Sequence, residues 1–275
     1  MRNMHDFLEE EFFDRQGYHI VQLLGEGAFS RVFLVRKQET GELLACKVSG
    51  RLDFARRERE LLTRADHPLF PDCLGLWTER GKAFLFMEYI CGSSLEEFLK
   101  RRGSFTDMQT ARVGMELAEG LGFLHQLPEP VLFRDVKPAN VMIRQDGRVK
   151  LLDLGCACKL QHPVKARAGT PGFAAPEQLA GECKLTFASD VYGLGMTLAA
   201  MSGENRGRKL MRVIAACTAK QPKLRLSDMK EVMAALAPLC GMGQSKSEVE
   251  GIRKLFAPRV ICVKNIWENR YKTIV

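Results

Sequence analysis

The run Phe133-Arg134-Asp135-Val136-Lys137-Pro138-Ala139-Asn140, followed thirteen residues after Asn140 by Asp153-Leu154-Gly155, constrains this chain more than any other feature. Between the two motifs, Val141 to Ile143 and Arg148 to Leu152 read as short strands around the turn dipeptide Asp146-Gly147. Such a hairpin places Asn140 and Asp153 at neighbouring strand ends. The residue types match what phosphoryl transfer requires, since moving a phosphoryl group is largely a matter of positioning and charge neutralisation. Asp153 and Asn140 can supply oxygens to Mg²⁺, Lys137 a cation for phosphate, and Asp135 an acceptor for the incoming hydroxyl. Mg²⁺ suits carboxylate, amide and phosphate oxygens and retains some of its waters.

Composition narrows the field. A chain of 275 residues that is 46% apolar can bury a core in one or two lobes. It holds no run of 18 apolar residues, and its start carries Glu9-Glu10-Glu11 rather than a basic segment and an apolar stretch, which reads as a soluble, non-secreted, cytoplasmic protein. Nine cysteines without a Cys-x-x-Cys pair argue for reduced thiols rather than a disulfide framework or a zinc site. The net charge of +8 is spread along the chain without a basic-aromatic motif, so no nucleic-acid partner is expected. Internal repeats and low-complexity tracts are absent from the sequence.

Towards the N-terminus, Leu24-Gly25-Glu26-Gly27-Ala28-Phe29-Ser30-Arg31-Val32 joins two strand-like runs, His19 to Leu24 and Val32 to Arg36. Glycines there let a backbone approach phosphate oxygens closely. Ala45-Cys46-Lys47 follows on another strand, and Asp53 to Ala65 reads as a helix with Phe54, Leu61 and Leu62 on its apolar face. Towards the C-terminus stand Gly169-Thr170-Pro171-Gly172-Phe173-Ala174-Ala175-Pro176-Glu177, an apolar helix Asp190 to Met201, and Arg225. Two capping boxes, Ser94-x-x-Glu97 and Thr106-x-x-Gln109, mark helix starts, the second opening a long helix with Val113, Leu117, Leu121 and Leu124 in one stripe.

In this order, over residues 18 to 238, these motifs resemble the eukaryotic-like (Hanks-type) serine/threonine protein kinases. The resemblance implies a bilobal α+β fold: an N-lobe of small antiparallel sheet with one regulatory helix, and a larger, mainly helical C-lobe. It divides the chain into an N-terminal extension (1–17), N-lobe and hinge (18–90), C-lobe (91–239) and C-terminal extension (240–275). It further implies ATP and Mg²⁺, with protein hydroxyls as substrate. Leu24, Gly25, Glu26, Gly27, Ala28, Phe29 and Ser30 would cover the phosphates, with Ser30 in place of the family's third glycine. Met87 would be the gatekeeper, the backbone of Glu88 and Ile90 would hydrogen-bond the adenine, and Val32 and Ala45 would cover one face of its ring and Met142 the other. Lys47, held by Glu58, would meet the α- and β-phosphates, while Glu60 points elsewhere. Asp135 and Lys137 would be catalytic, Asn140 and Asp153 metal-binding, and Thr170 part of the substrate pocket; Glu177, Asp190 and Arg225 would be structural. Phe133, where the family has histidine, would join a hydrophobic spine with Leu154 and Leu62.

Several departures refine the expectation. No serine, threonine or tyrosine lies between Gly155 and Gly169, so the loop phosphate that Arg134 meets in relatives has no attachment point before Thr170. The late helical region looks truncated, since Leu210 to Thr218 follows the helix at Asp190 after only a few residues. Ala139 and Ser94 replace acidic positions, and Lys159, Lys165, Arg167 and Lys184 lie near the expected peptide track, which favours an acidic or neutral substrate. The run Gly172 to Gln178 is similar to bacterial members of the family. Residues 240–275 are expected to pack back on the kinase, bind a regulator or partner, or touch anionic lipid, and the acidic N-terminus with Phe7, Leu8, Phe12 and Phe13 to be a lobe-packing helix. Cys156-x-Cys158 reads as two small residues in a tight loop, with a redox switch as the alternative. The rivals to an active kinase are an ATP-binding pseudokinase scaffold and a small-molecule phosphotransferase of related fold.

Overall fold

Strands with β-branched and apolar residues at alternate positions build the first part of the chain, and the side-chain period of two divides their residues between two faces. The computed structural model describes residues 4–160, 168–181 and 185–241. After helix α1 (Met4–Arg15) come β1 (Tyr18–Glu26), β2 (Ser30–Lys37), β3 (Leu43–Ser49), helix α2 (Leu52–Arg64), β4 (Cys73–Glu79) and β5 (Lys82–Glu88). The strands form one antiparallel sheet in the order β1-β2-β3-β5-β4. β1 runs on to Glu26, past Leu24, because irregularities in its pairing with β2 let the ladder continue.

One face of this sheet carries Phe33, Val35, Leu44, Cys46, Val48, Phe84 and Phe86, packed with Phe12 and Phe13 of α1. Phe12 stacks on Phe84 with ring centroids 3.6 Å apart, and Phe13 meets Phe33, Phe84 and Phe86 edge-on. Glu9, also buried, reaches Arg31 (2.6 Å) and Lys82 (3.0 Å), so the acidic segment neutralises its charge against strand cations. The N-terminal segment is therefore a helix packed on the sheet, each phenylalanine contributing about 1.5–3 kcal/mol of burial.

The alternate residues Val32, Ala45, Lys47, Leu85 and Met87 point to the other face, with Val32 opposite Lys47 and Ala45 opposite Met87. Helix α2 lies against β4 and β5. Its buried residues are Ala55, Glu58, Leu61 and Leu62, not Phe54. Phe54 shares the stripe of Glu58 and Leu61 but lies in the first turn, 44% exposed, where Arg51 stacks on its ring at 3.6 Å in place of a core.

From Ile90 onwards the chain becomes mainly helical. It comprises β6 (Gly92–Ser94), α3 (Leu95–Arg102), α4 (Asp107–His125), β7 (Val131–Leu132), β8 (Val141–Arg144), β9 (Val149–Leu151), β10 (Cys158–Lys159), α5 (Pro176–Ala180), α6 (Phe187–Ser202), α7 (Arg208–Cys217) and α8 (Met229–Leu236). Both capping boxes form reciprocally, at Ser94/Glu97 and Thr106/Gln109. Val113, Leu117, Leu121 and Leu124 of α4 are all buried, and the helix packs against α6 and α8. Contacts divide the chain into two units: Met1–Asp66 with Pro71–Ile90, and His67–Phe70 with Cys91–Val275. His67–Phe70 belongs to the second because the Leu69 carbonyl accepts from Leu151 (2.7 Å), the Phe70 carbonyl accepts from buried Lys150 (2.8 Å), and Leu69 packs where a side chain on Gly120 would be.

α6 begins at Phe187, three residues before Asp190, because Phe187 stacks on His125 (4.3 Å between centroids) and draws the first turn onto α4. Only residues 203–207 connect α6 to α7, which gives the shortened late helical region. Among the described residues no helix is long and apolar enough to cross a membrane. Lys165, Arg167, Lys184 and the segment 242–275, on which several expectations rested, lie outside the described residues.

Candidate active site

In the first unit, Lys47 extends from β3 and its Nζ donates to both carboxylate oxygens of Glu58, each at 2.8 Å. Both side chains are largely buried. Glu60, two residues on, is half exposed and 3.8 Å from Arg64. Gly25 pairs with Val32 and Glu26 with Arg31, and the Gly27 amide donates to the Ser30 carbonyl (2.8 Å), so Gly27-Ala28-Phe29 forms the tip of a β1–β2 hairpin. Leu24 and Phe29 project outward, Phe29 being 66% exposed. At the end of β5, Met87 and Glu88 are half-buried and Ile90 is buried. The Glu88 amide donates to the Asp72 carbonyl (2.9 Å), so Glu88's main chain would meet a ligand by its carbonyl accepting a hydrogen bond.

In the second unit, the loop at 133–140 is built around Asp190. This buried carboxylate accepts from the amides of Phe133 (2.8 Å) and Arg134 (2.7 Å) and pairs with His125 Nε2 (2.8 Å). Arg134 adopts a left-handed backbone, φ 72°, costing about 1–2 kcal/mol that the paired amide bonds offset. Its carbonyl accepts from Gln178 Nε2 (3.0 Å), which also donates to the Ala168 carbonyl (3.3 Å). The following residues turn Asp135 and Lys137 towards Thr170. The Thr170 hydroxyl donates to Asp135 Oδ1 (2.8 Å), and Lys137 Nζ donates to Thr170 Oγ1 (2.6 Å) and lies 2.8 Å from Asp135 Oδ2. Gly169 precedes Thr170 at φ 104°, where a side chain would strike Ala174 and the Arg134 carbonyl. Glycine is required at that point.

Asn140 and Asp153 are brought together as the hairpin reading implies. β8 pairs with β9, Val141 opposite Leu151, and the Leu152 amide donates to the Asn140 carbonyl (2.8 Å). Asn140 Nδ2 donates to the backbone carbonyl (2.9 Å) and Oδ2 (3.1 Å) of Asp135, which leaves its Oδ1 as the metal-type oxygen. Asp153 is exposed, in a left-handed conformation (φ 68°), with Oδ1 accepting from the Gly155 amide (3.1 Å). One carboxylate and one amide oxygen, with room for water and phosphate oxygens, fit a Mg²⁺ ion. Met142, half-buried, lies on β8 beyond Asn140.

Behind the loop, Arg225 makes a bidentate pair with Glu177, Nη1–Oε1 2.7 Å and Nη2–Oε2 2.8 Å. It also donates to the carbonyls of Ala188, Ala219 and Lys220. Burial by itself would raise the Glu177 carboxyl, but hydrogen bonds from Arg225 and Ser189, with the charge of Arg225, hold it below its ordinary value. Arg134 Nη1 reaches the Cys156 carbonyl (3.4 Å). Burial, and after it the carboxylates of Asp135 and Asp153, raise the Cys156 thiol. That shift disfavours the thiolate a redox switch would need. Phe133 and Leu154 are fully buried.

His125, Gln178 and Ser189 were not apparent in the sequence. His125 carried one signal, its position in the last turn of a long helix; buried polar Gln178 carried none.

A sheet unit bearing a lysine–glutamate pair and a helical unit bearing an aspartate–lysine–threonine cluster beside a metal-type hairpin define a phosphoryl-transfer class of protein. The chain belongs to the protein kinase family, whose protein kinase domain matches residues 18–208. It is 32% identical over 222 residues to Cell division control protein 2 homolog 3 of Trypanosoma brucei brucei, across 77% of this chain and 68% of that protein. It is 29% identical over 191 residues to cAMP-dependent protein kinase catalytic subunit 3 of Drosophila melanogaster, across 66% of this chain and 32% of that protein. With Mitogen-activated protein kinase kinase kinase kinase 3 of Homo sapiens it shares 31% over 193 residues, across 66% of this chain and 21% of that protein. These relatives are eukaryotic and lend no support to the bacterial likeness read from Gly172 to Gln178. The family match ends where α7 begins, just beyond the shortened α6–α7 connection.

Proposed function

We propose that the chain is a serine/threonine protein kinase, transferring the γ-phosphate of ATP to protein hydroxyls. The observation that carries this reading is the closed contact among Asp135, Lys137 and Thr170, with every leg at or below 2.8 Å. Lysine two residues after the aspartate, engaged with a threonine at the start of the peptide platform, is the serine/threonine pattern that the family resemblance implies. In the reaction Asp135 orients the substrate hydroxyl and accepts its proton, and Lys137 stabilises charge on the transferred group. Lys47, aligned by Glu58, holds the α- and β-phosphates, and the Gly25–Ser30 hairpin covers them with backbone amides. As the family resemblance implies, Val32, Ala45 and Met142 would cover the adenine ring, Met87 would be the gatekeeper, and the Glu88 carbonyl and the Ile90 backbone would be its hydrogen-bond partners. Asn140 and Asp153 would hold Mg²⁺, which when bound neutralises phosphate charge.

Activity in this reading needs no phosphate on the loop after Gly155. Arg134, free of that duty, engages the Cys156 carbonyl, and the loop is joined to the catalytic segment through Gln178. The test is incubation with Mg²⁺ and γ-labelled ATP, with and without casein or myelin basic protein, alongside Asp135→Asn and Asp153→Asn. Transfer to serine or threonine that is lost in both variants supports the proposal. ATP binding without transfer assigns a scaffold role, and phosphotyrosine as the product overturns the specificity.

A further inference from the structure

At the tip of the phosphate-covering hairpin, the first unit contains a cluster that the core does not explain. The Arg51 guanidinium carbon lies 4.8 Å from the ring centroid of Phe29 and 3.6 Å from that of Phe54. Both rings are exposed, at 66% and 44%. The backbone is tied at the same place: Ser49 Oγ donates to the Phe29 carbonyl (3.0 Å), and the Arg51 amide donates to Ser49 Oγ (3.1 Å). Ser49 also pairs with Ser30 across β2 and β3. The tip of the glycine-bearing hairpin is thus held through side chain and main chain by the short segment joining the strand of Lys47 to the helix of Glu58.

We propose that Arg51 is a positioning residue for the phosphate-covering hairpin, clasping its tip to the first turn of α2. This rests on the kinase reading above and adds to it a link between hairpin and helix. Phe54 precedes Glu58 by one helical turn, and Ser49 follows Lys47 by two residues, so hairpin tip, lysine and glutamate are braced from a single segment. A hairpin carrying Gly25 and Gly27 has much backbone freedom to lose when it closes on phosphates. A clasp that restrains the hairpin tip reduces the freedom it has to lose and so removes part of that cost. The planar guanidinium is the group suited to the task, because it stacks against aromatic faces, whereas an ammonium is a compact, strongly hydrated charge.

The test is the affinity for a fluorescent ATP analogue with Mg²⁺, measured for wild type, Arg51→Ala, Arg51→Lys, Phe54→Ala and the double variant Arg51→Ala/Phe54→Ala. Each cation–π contact at an exposed site is worth a factor of about two to five. Arg51→Ala is therefore expected to weaken nucleotide binding about 3- to 10-fold, with Arg51→Lys weakened nearly as much. The double variant is expected to be no weaker than Arg51→Ala, because Phe54 acts through Arg51. Melting temperatures should stay within about 3 °C, since the residue is a surface one, and the KM for the protein acceptor should not move. Wild-type binding with unchanged Arg51→Ala affinity, full rescue by lysine, or losses that multiply in the double variant each overturn the clasp and leave the kinase reading standing. Failure of the wild-type protein to bind nucleotide overturns both.

Discussion

Arg225→Met removes the guanidinium from the Glu177 pair while keeping an unbranched apolar side chain of similar reach. The Arg225 side chain is fully buried, that of Glu177 is 5% exposed, and the pair closes at 2.7 and 2.8 Å. The substitution leaves the carboxylate with Ser189 as its remaining side-chain donor (3.0 Å) and frees the carbonyls of Ala188, Ala219 and Lys220. Stranding one member of a buried ion pair costs about 3–5 kcal/mol. For a domain of this size a kilocalorie is worth about 2–4 °C, so Tm should fall by about 6–20 °C. Glu177→Leu/Arg225→Met, which buries no stranded charge, should lose markedly less than Arg225→Met alone. The sign of the pH dependence follows from the lowered Glu177 carboxyl. Its stabilisation is full above the ordinary value of 4.5 and is lost as pH falls through the lower folded value, because the unfolded carboxyl takes up its proton first. Acid melts followed by circular dichroism should show this limb in wild type and not in Glu177→Gln. A loss in Arg225→Met below about 1 kcal/mol, or strict additivity in the double variant, would refute the reasoning.

Three further outcomes are expected. Thr170→Val keeps the shape and removes a hydroxyl bonded to two charged groups; with Asp135 and Lys137 still paired to each other, a net loss of one such bond, about 1.5–3 kcal/mol, should lower peptide phosphorylation about 10- to 100-fold in a steady-state assay. Phe13→Ala empties a fully buried position in the sheet core and should destabilise the first unit by about 3–5 kcal/mol in urea melts; a loss under 1 kcal/mol would mean that α1 is an appendage. The Cys156 thiol, raised by burial and nearby carboxylates above its ordinary 9.0, should alkylate with iodoacetamide more slowly at neutral pH than a free thiol and faster only at more alkaline pH; mass spectrometry of the labelled peptide measures this.

Much of the candidate site was legible because its geometry is local. The hairpin between Asn140 and Asp153 turns on Asp146-Gly147, both capping boxes close within three residues, and Lys137 stands two residues from Asp135. The family resemblance marked Glu58 as the lysine partner, and Glu60 then points elsewhere because residues two apart on a helix do not share a face. What only tertiary structure decided lies at long separation. His125 meets Asp190 across 65 residues, and Gln178 reaches the Arg134 carbonyl across 44. Periodicity places Phe54 on the apolar stripe of α2, yet in the first turn it is Ala55 that is buried, and Phe54 stays exposed beneath Arg51. Backbone hydrogen bonding and helical spacing are written into neighbouring residues. Which buried polar group finds which partner depends on how whole elements pack, and no short window of sequence contains that information.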